Sequence, residues 1–304
     1  MANEAEAQLR EKAKDLLAKG KVKLILGYGE RAGGGVRPVF VKLPDDVDRL
    51  VWNDQCTPNL ASFLTREPCL GIVRSGGRVG IVAKGCDARA IVGLVQEKQA
   101  KREAVHVIGM VCNGVADDAP PALGAEARGA AGAGRLPSKC FECEWHTPPI
   151  YDDLVGDKAA VKPAVGDALA DEKRLASMSN EERWQFWTDL FSRCIKCYAC
   201  RQACPLCYCK ECITEKSRPQ WIAKSSTARG NLAYHFIRAM HLAGRCIGCE
   251  ECRRACPMGI PVDLLSRFLT RRVGEAFGYK PGRDPAEAPF FVTSGENDPD
   301  DFIR

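Results

Sequence analysis

The sequence predicts a mixed chain: an N-terminal α/β domain with a partly parallel sheet, followed by a helix-rich, cysteine-dense domain. Three observations carry this. Short β-branched runs alternate with a helical segment through residues 1 to about 115. Seven cysteines fall within residues 193–212, and the spacing of the first four recurs at residues 246–256. With 304 residues, 45% of them apolar, the chain is long enough for about two domains. The reading places the α/β domain at 1–158, a linker at 159–178, the cysteine-dense domain at 179–280 and an extended or mobile tail at 281–304.

KLILG (23–27), VGIVAKG (79–85) and VHVIGMV (105–111) are short runs bounded by turn residues and read as strands. Between the last two, DARAIVGLVQEKQ has apolar residues at helical spacing, with Asp87 placed as its N-cap, so the segment forms a βαβ unit. GYGERA (27–32) matches a dinucleotide-binding pattern, but GGGVRP follows where a helix is required, and the motif is discounted. Residues 117–138, rich in Gly, Ala and Pro, read as a surface loop. SNEERWQFWTDLFSRC opens a helix at Ser179 or Asn180, with Trp184, Trp187 and Phe191 on one packing face. GNLAYHFIRAMHLAGRC gives another helix, with a stripe of Leu232, Phe236, Met240 and Ala243; His235 and His241 on or beside it read as structural.

The first twenty residues are charged and helix-forming, and no window has the apolar length of a membrane span, so the protein reads as cytoplasmic with no transmembrane segment. In a reducing compartment, 17 cysteines point to metal ligation or redox chemistry rather than a disulfide framework. Net charge is +5, and Arg193, Lys196, Arg201, Lys210, Arg245, Arg253 and Arg254 crowd the cysteines. They read as a basic surface offsetting anionic clusters, since the aromatic pattern of a nucleic-acid-binding domain is missing. No Ser/His/Asp or paired-carboxylate arrangement suggests hydrolysis.

Cys194, Cys197, Cys200 and Cys204–Pro205 form C-x2-C-x2-C-x3-C-P, and Cys246, Cys249, Cys252 and Cys256–Pro257 repeat it. Three thiolates at this spacing wrap one cubane and the fourth turns to the other cluster, so the two copies cross-bridge a pair of [4Fe-4S] centres. Cys204 then joins Cys246, Cys249 and Cys252, while Cys256 joins Cys194, Cys197 and Cys200. Zinc sites use paired C-x2-C knuckles instead. The insertion between the motifs makes this a ferredoxin-like dicluster domain larger than a minimal bacterial ferredoxin. It resembles the dicluster modules of heterodisulfide-reductase-type and succinate-dehydrogenase-type subunits. Cys207, Cys209 and Cys212 remain; a fourth cluster completed by Cys56 or Cys69, sulfurs surrounding the existing clusters, and plain packing all stay open.

Cys86 follows one strand and Cys112 ends another, placing both at the carboxyl edge of the sheet, where open α/β folds bind ligands. The Cys140–Cys143 pair in KCFECEWH lies on a loop that can close over them. Together these four suggest a third [4Fe-4S] cluster; a zinc knuckle of Cys140, Cys143 and His146 competes.

AKGCDARAI (83–91), IGMVCNGV (108–115) and KCFECEWHTPPIYDDLVGD (139–157) resemble the β-subunit family of deazaflavin-reducing hydrogenases and formate dehydrogenases. The resemblance covers most of residues 20–157, and the cysteine-rich module at 190–265 resembles the ferredoxin part of formate dehydrogenase members. It implies a subunit that passes electrons between a partner's metal centre and a carrier, often through a flavin such as FAD. The family's glycine-rich flavin segment has no counterpart here. The expected function is therefore an iron–sulfur electron-transfer subunit of a cytoplasmic hydrogenase, formate dehydrogenase or heterodisulfide-reductase-like complex, with other subunits and ferredoxin as partners. A flavin-containing subunit that itself reduces a soluble carrier, and a zinc-stabilised scaffold, are the alternatives.

Overall fold

The computed structural model describes residues 4–116, 136–141, 143–158 and 166–292. Most of the loop read at 117–138, and the last twelve residues of the tail, lie outside them.

The N-terminal half is a five-stranded mixed sheet in the order β2–β1–β3–β4–β5. Strand β1 (Leu24–Glu30) pairs antiparallel with β2 (Val36–Val41), and β1, β3 (Val79–Ala83), β4 (Val105–Met110) and β5 (Asp153–Val155) run parallel. Every residue of β3 and β4 is buried, as expected for parallel strands covered on both faces. Helix α1 (Glu4–Ala18) packs on β1 and β5, the short α2 (Cys69–Arg74) on β3, and α3 (Gly85–Gln96) on β3 and β4. GYGERA runs along β1 into a glycine turn and then into β2, so no helix follows the motif and its discounting stands.

The start of α3 differs from the sequence expectation. Asp87 is not its N-cap but its third residue, and its carboxylate reaches back to the Lys84 backbone N–H at 2.9 Å. The same carboxylate accepts from the Leu60 N–H at 2.6 Å and pairs with the Lys84 ammonium at 2.9 Å. That ammonium also donates to the Pro58 carbonyl at 3.0 Å and to the Tyr28 hydroxyl. Asp87 and Lys84 are 0% and 1% exposed, so neither charge has water to fall back on. Asp87→Ala is expected to destabilise the chain by about 3–5 kcal/mol, because a buried cation loses its counter-charge. A denaturant midpoint equal to that of the parent would refute this role.

The C-terminal half consists of α4 (Ala170–Ser177), α5 (Asn180–Ser192), α6 (Ala199–Ala203), α7 (Ala228–His241), α8 (Glu251–Arg254) and α9 (Asp263–Phe277). Helix α4 falls inside the stretch read as linker, where Asp171 pairs with Arg253 at 3.2 Å. Helix α5 begins as expected: Ser179 caps it, exchanging hydrogen bonds with Glu182. Trp187 and Phe191 stack in the core with centroids 5.3 Å apart, but Trp184 is 52% exposed and does not share their face.

Helix α7 inverts its predicted stripe. Phe236 and Met240 are exposed, while the buried face carries Asn231, Tyr234, His235 and Arg238, four polar residues at i, i+3, i+4 and i+7. The first part of the tail is also ordered against the domain. Arg89 donates to the Pro281 carbonyl at 2.7 Å, Gln96 to the carbonyls of Asp284 and Glu287 at 2.8 Å each, and Phe290 packs on Phe277.

Candidate metal centres

Three groups of thiols emerge. The two C-x2-C-x2-C-x3-C-P segments fold alike. Lys196 and Tyr198 in the first, Gly248 and Glu250 in the second, occupy matching positions with positive φ of 54°, 59°, 71° and 57°. Three of the four are not glycine, and such strain persists only where the surroundings hold it. The turn points the backbone at sulfur: the N–H groups of Lys196 and Gly248 donate to Cys194 and Cys246 Sγ at 3.4 Å.

Site I gathers Cys194, Cys197, Cys200 and Cys256: the charges of Cys200, Cys256 and Cys197 all act on the Cys194 thiol, and those of Cys200 and Cys197 on Cys256. Site II gathers Cys204, Cys246, Cys249 and Cys252, with Cys204 among the charges acting on each of the other three. The fourth cysteine of each motif thus stands with the other motif's first three. The buried face of α7 serves these sites. His235 Nε2 lies 3.3 Å from Cys194 Sγ and the Tyr234 hydroxyl 3.4 Å from Cys200 Sγ. Asn231 donates to the Cys194 carbonyl at 2.7 Å and Arg238 to that of Cys200 at 3.1 Å. Burial and the charges of Arg238 and Lys196 push His235 down to about 3, so its ring is neutral and can donate one N–H to sulfur.

Site III lies at the carboxyl ends of β3 and β4, which are adjacent and parallel. Cys86 is in the first turn of α3, Cys112 just beyond β4, and Cys140 and Cys143 on the loop above; all four line one cavity of about 230 Å³. The loop is fastened by Cys112 N–H to the His146 carbonyl (2.9 Å) and His146 Nδ1 to the Cys112 carbonyl (2.7 Å). Gly85 permits this closure: a Cβ there would come within 1.8 Å of the Trp145 carbonyl oxygen. The backbone-to-sulfur turn recurs, with Gly114 donating to Cys112 Sγ and Trp145 to Cys143 Sγ, both at 3.4 Å. His146 Nδ1 is taken up by the Cys112 carbonyl, while its buried Nε2 has no partner among the described residues and the ring lines the same cavity.

Burial raises the thiols of Cys86 to about 12, Cys140 to about 11 and Cys246 to about 11. Thiols so raised ionise only when a strong positive partner compensates the lost water, which is what a metal centre supplies. Sulfurs that accept backbone N–H groups in this way, as Cys112, Cys143, Cys194 and Cys246 do, fit thiolate ligands of an iron–sulfur cluster. Among the described residues, no three His, Cys, Asp or Glu side chains stand close enough to hold a single metal ion.

Sites II and III adjoin. Arg89 donates to the Ile247 carbonyl at 2.9 Å, and Lys139 to the Cys249 carbonyl at 3.1 Å. Arg89, Lys139, Ile247 and Gly248 all line the site III cavity. The cations are therefore not simply a basic surface, as the sequence suggested. Lys196, Arg201 and Arg253 are buried, and Arg201 and Arg245 are paired with Glu215 and Glu97.

The extra cysteines separate. Cys207 stands beside Cys204, and its interaction, against the effect of burial, lowers the Cys204 thiol. Cys212 accepts from the Glu215 N–H, and Cys209 is exposed. Cys56 and Cys69 are sealed in the N-terminal core; the charges acting on Cys56 come from Lys84, Asp87 and Cys112, none of them from residues 207–212. No helix among the described residues is long and apolar enough to cross a membrane.

Residues 193–261 match the family model described as 4Fe-4S dicluster domain. The chain is 38% identical over 105 residues to the F420-dependent formate dehydrogenase subunit beta of Methanocaldococcus jannaschii, a match covering 34% of this chain and 27% of that protein. It is 29% identical over 103 residues to the F420-dependent formate dehydrogenase 1 subunit beta of Methanococcus maripaludis, covering 34% and 26%. The matches thus span about a quarter of the length of these relatives. The chain carries a 4Fe-4S dicluster domain and, over a third of its length, is similar to the beta subunits of these formate dehydrogenases.

Proposed function

We propose that this chain is an iron–sulfur electron-transfer subunit of a multisubunit oxidoreductase of the formate dehydrogenase or hydrogenase kind, relaying electrons through three [4Fe-4S] clusters. The ligands are Cys194, Cys197, Cys200 and Cys256 at site I, Cys204, Cys246, Cys249 and Cys252 at site II, and Cys86, Cys112, Cys140 and Cys143 at site III. The observation that carries this is the turn common to all three sites, in which a backbone N–H two residues on donates to a cysteine sulfur. When bound, each cluster takes up and releases one electron.

The chain's own residues hold the clusters in the order III, II, I. Arg89 and Lys139 lie between sites III and II, where their charges offset two neighbouring anionic centres. Tyr234, His235 and Arg238 present donors to sites I and II, and hydrogen bonds to cluster sulfurs raise reduction potential by favouring the more negative state. Site I opens to solvent: Cys197 is exposed, and the neighbouring Ile195 is 57% exposed. A partner subunit therefore exchanges electrons at the site I end. The α/β domain at 1–158 holds site III and the domain at 179–280 holds the pair.

Anaerobically isolated protein is expected to contain about twelve irons per chain, with electron paramagnetic resonance signals of reduced [4Fe-4S] centres. Stoichiometric zinc with little iron would overturn the reading in favour of a scaffold.

A further inference from the structure

Most cations near the cysteines have a carboxylate to answer them. Lys84 pairs with Asp87, Arg201 with Glu215, Arg245 with Glu97 and Arg253 with Asp171, and the charges of Glu250 and Glu251 act on Lys139. Arg89 and Arg238 differ. Each is held by backbone carbonyls, and among the described residues no carboxylate pairs with either. Lys196 is also bonded to carbonyls, but the thiol whose charge acts on it, Cys194, belongs to site I alone.

The two arginines stand at the two junctions between sites. Arg89 donates to the Ile247 carbonyl, inside the site II motif, at 2.9 Å. It also lines the site III cavity and lies over the Trp145 ring of the loop that closes it, 5.3 Å from the centroid. The thiols whose charges act on it are Cys246 and Cys249 of site II and Cys86 and Cys143 of site III. Arg238, 6% exposed, donates to the Cys200 carbonyl of site I at 3.1 Å. The charges acting on it come from Cys204 and Cys252 of site II, Cys200 of site I and the neighbouring Cys207. Site II therefore has one such arginine on the side of each neighbour.

A reduced [4Fe-4S] centre is one charge more negative than an oxidised one, and a fixed cation away from water favours that state. We propose that Arg89 and Arg238 are positioning residues for electron transfer, each raising the reduction potentials of the two sites it stands between, so that site II depends on both. A shared cation moves its two neighbours together and leaves the step between them level, which a cation held by one site cannot do. This inference rests on the proposed function.

The test is a redox titration of the anaerobically isolated full chain, followed by electron paramagnetic resonance, with iron counted on every sample. Each signal is assigned by its loss in Cys204→Ser or in Cys86→Ser with Cys112→Ser. Arg89→Gln is expected to shift the one-electron equilibria of sites II and III about tenfold toward the oxidised state, about 59 mV in potential, with site I unmoved. Arg238→Gln is expected to do the same to sites II and I, with site III unmoved. Arg89→Lys and Arg238→Lys, which keep the charge but not the fork of donors, are expected to shift them by less than half as much. Iron lost from a glutamine variant but kept in its lysine counterpart would likewise support the charge. Unmoved potentials, a shift confined to one site or equal at all three, lysine variants that shift as far as the glutamine ones, or iron lost from both, overturn the proposal. A parent chain that carries zinc and shows none of these signals overturns the cluster reading instead.

Discussion

Cys204→Ser is expected to empty the centre framed by Cys246, Cys249 and Cys252 and to spare the one nearest it in sequence. Cys204 closes the first cysteine motif, yet its charge acts on the three thiols of the second. Among these thiols it is the one lowered rather than raised: the neighbouring Cys207 and the Arg238 guanidinium favour its charged form against the effect of burial. A serine hydroxyl there would remain protonated and could not replace that ligand. Iron should fall from about twelve to about eight per chain, with one paramagnetic signal lost and the signal of the Cys194, Cys197, Cys200 and Cys256 centre retained. If the retained signal is instead the one abolished by a Cys249→Ser control, the crossed assignment is wrong.

The same motif shows what can be read from sequence alone. Spacing within a turn is local, so the positions of the cysteines, and the strands that deliver Cys86 and Cys112 to one sheet edge, follow from short-range pattern. What supports them is not local. The face of α7 was misjudged because apolar residues are expected to point inward, whereas this helix packs on sulfur. Donors belong on the side facing anionic clusters, so Asn231, Tyr234, His235 and Arg238 are buried and Phe236 and Met240 are left outside. The i, i+3, i+4, i+7 spacing of those polar residues was visible and could have indicated the inner face, given that a cluster was already predicted nearby.

Asp87 illustrates a different limit. An acidic residue ahead of an apolar helical run is a reasonable N-cap, but here the helix begins two residues earlier, and the carboxylate is needed by Lys84 and by the Leu60 N–H. Leu60 is distant in sequence, and no propensity could announce it. The tail segment at 281–292 was likewise unreadable: its Pro, Gly and charged residues look like a loose end, and contacts distant in sequence fix it, with Arg89 and Gln96 of α3 and, through Phe290, with Phe277.

Site III rests on chain segments brought together from separate parts of the fold, so a double substitution is its strongest test. Cys86→Ser with Cys112→Ser is expected to lower iron from about twelve to about eight per chain while the two dicluster signals persist. A second variant approaches the site without touching a ligand. Gly85→Ala puts a methyl group 1.8 Å from the Trp145 carbonyl oxygen, a distance that neither the backbone of α3 nor the loop carrying Cys140 and Cys143 can accept unmoved. The loop is the weaker partner, held by His146 and Cys112 rather than by regular structure. It should lift, separating Cys140 and Cys143 from Cys86 and Cys112, and the same third centre should be lost. Because Lys139 on that loop also holds the Cys249 carbonyl, the lifted loop should alter the line shape of the site II signal, whereas the double serine variant should leave it unchanged. Retention of twelve irons in both variants would remove the third cluster from this half of the protein, and loss of all iron would show that the halves do not load independently.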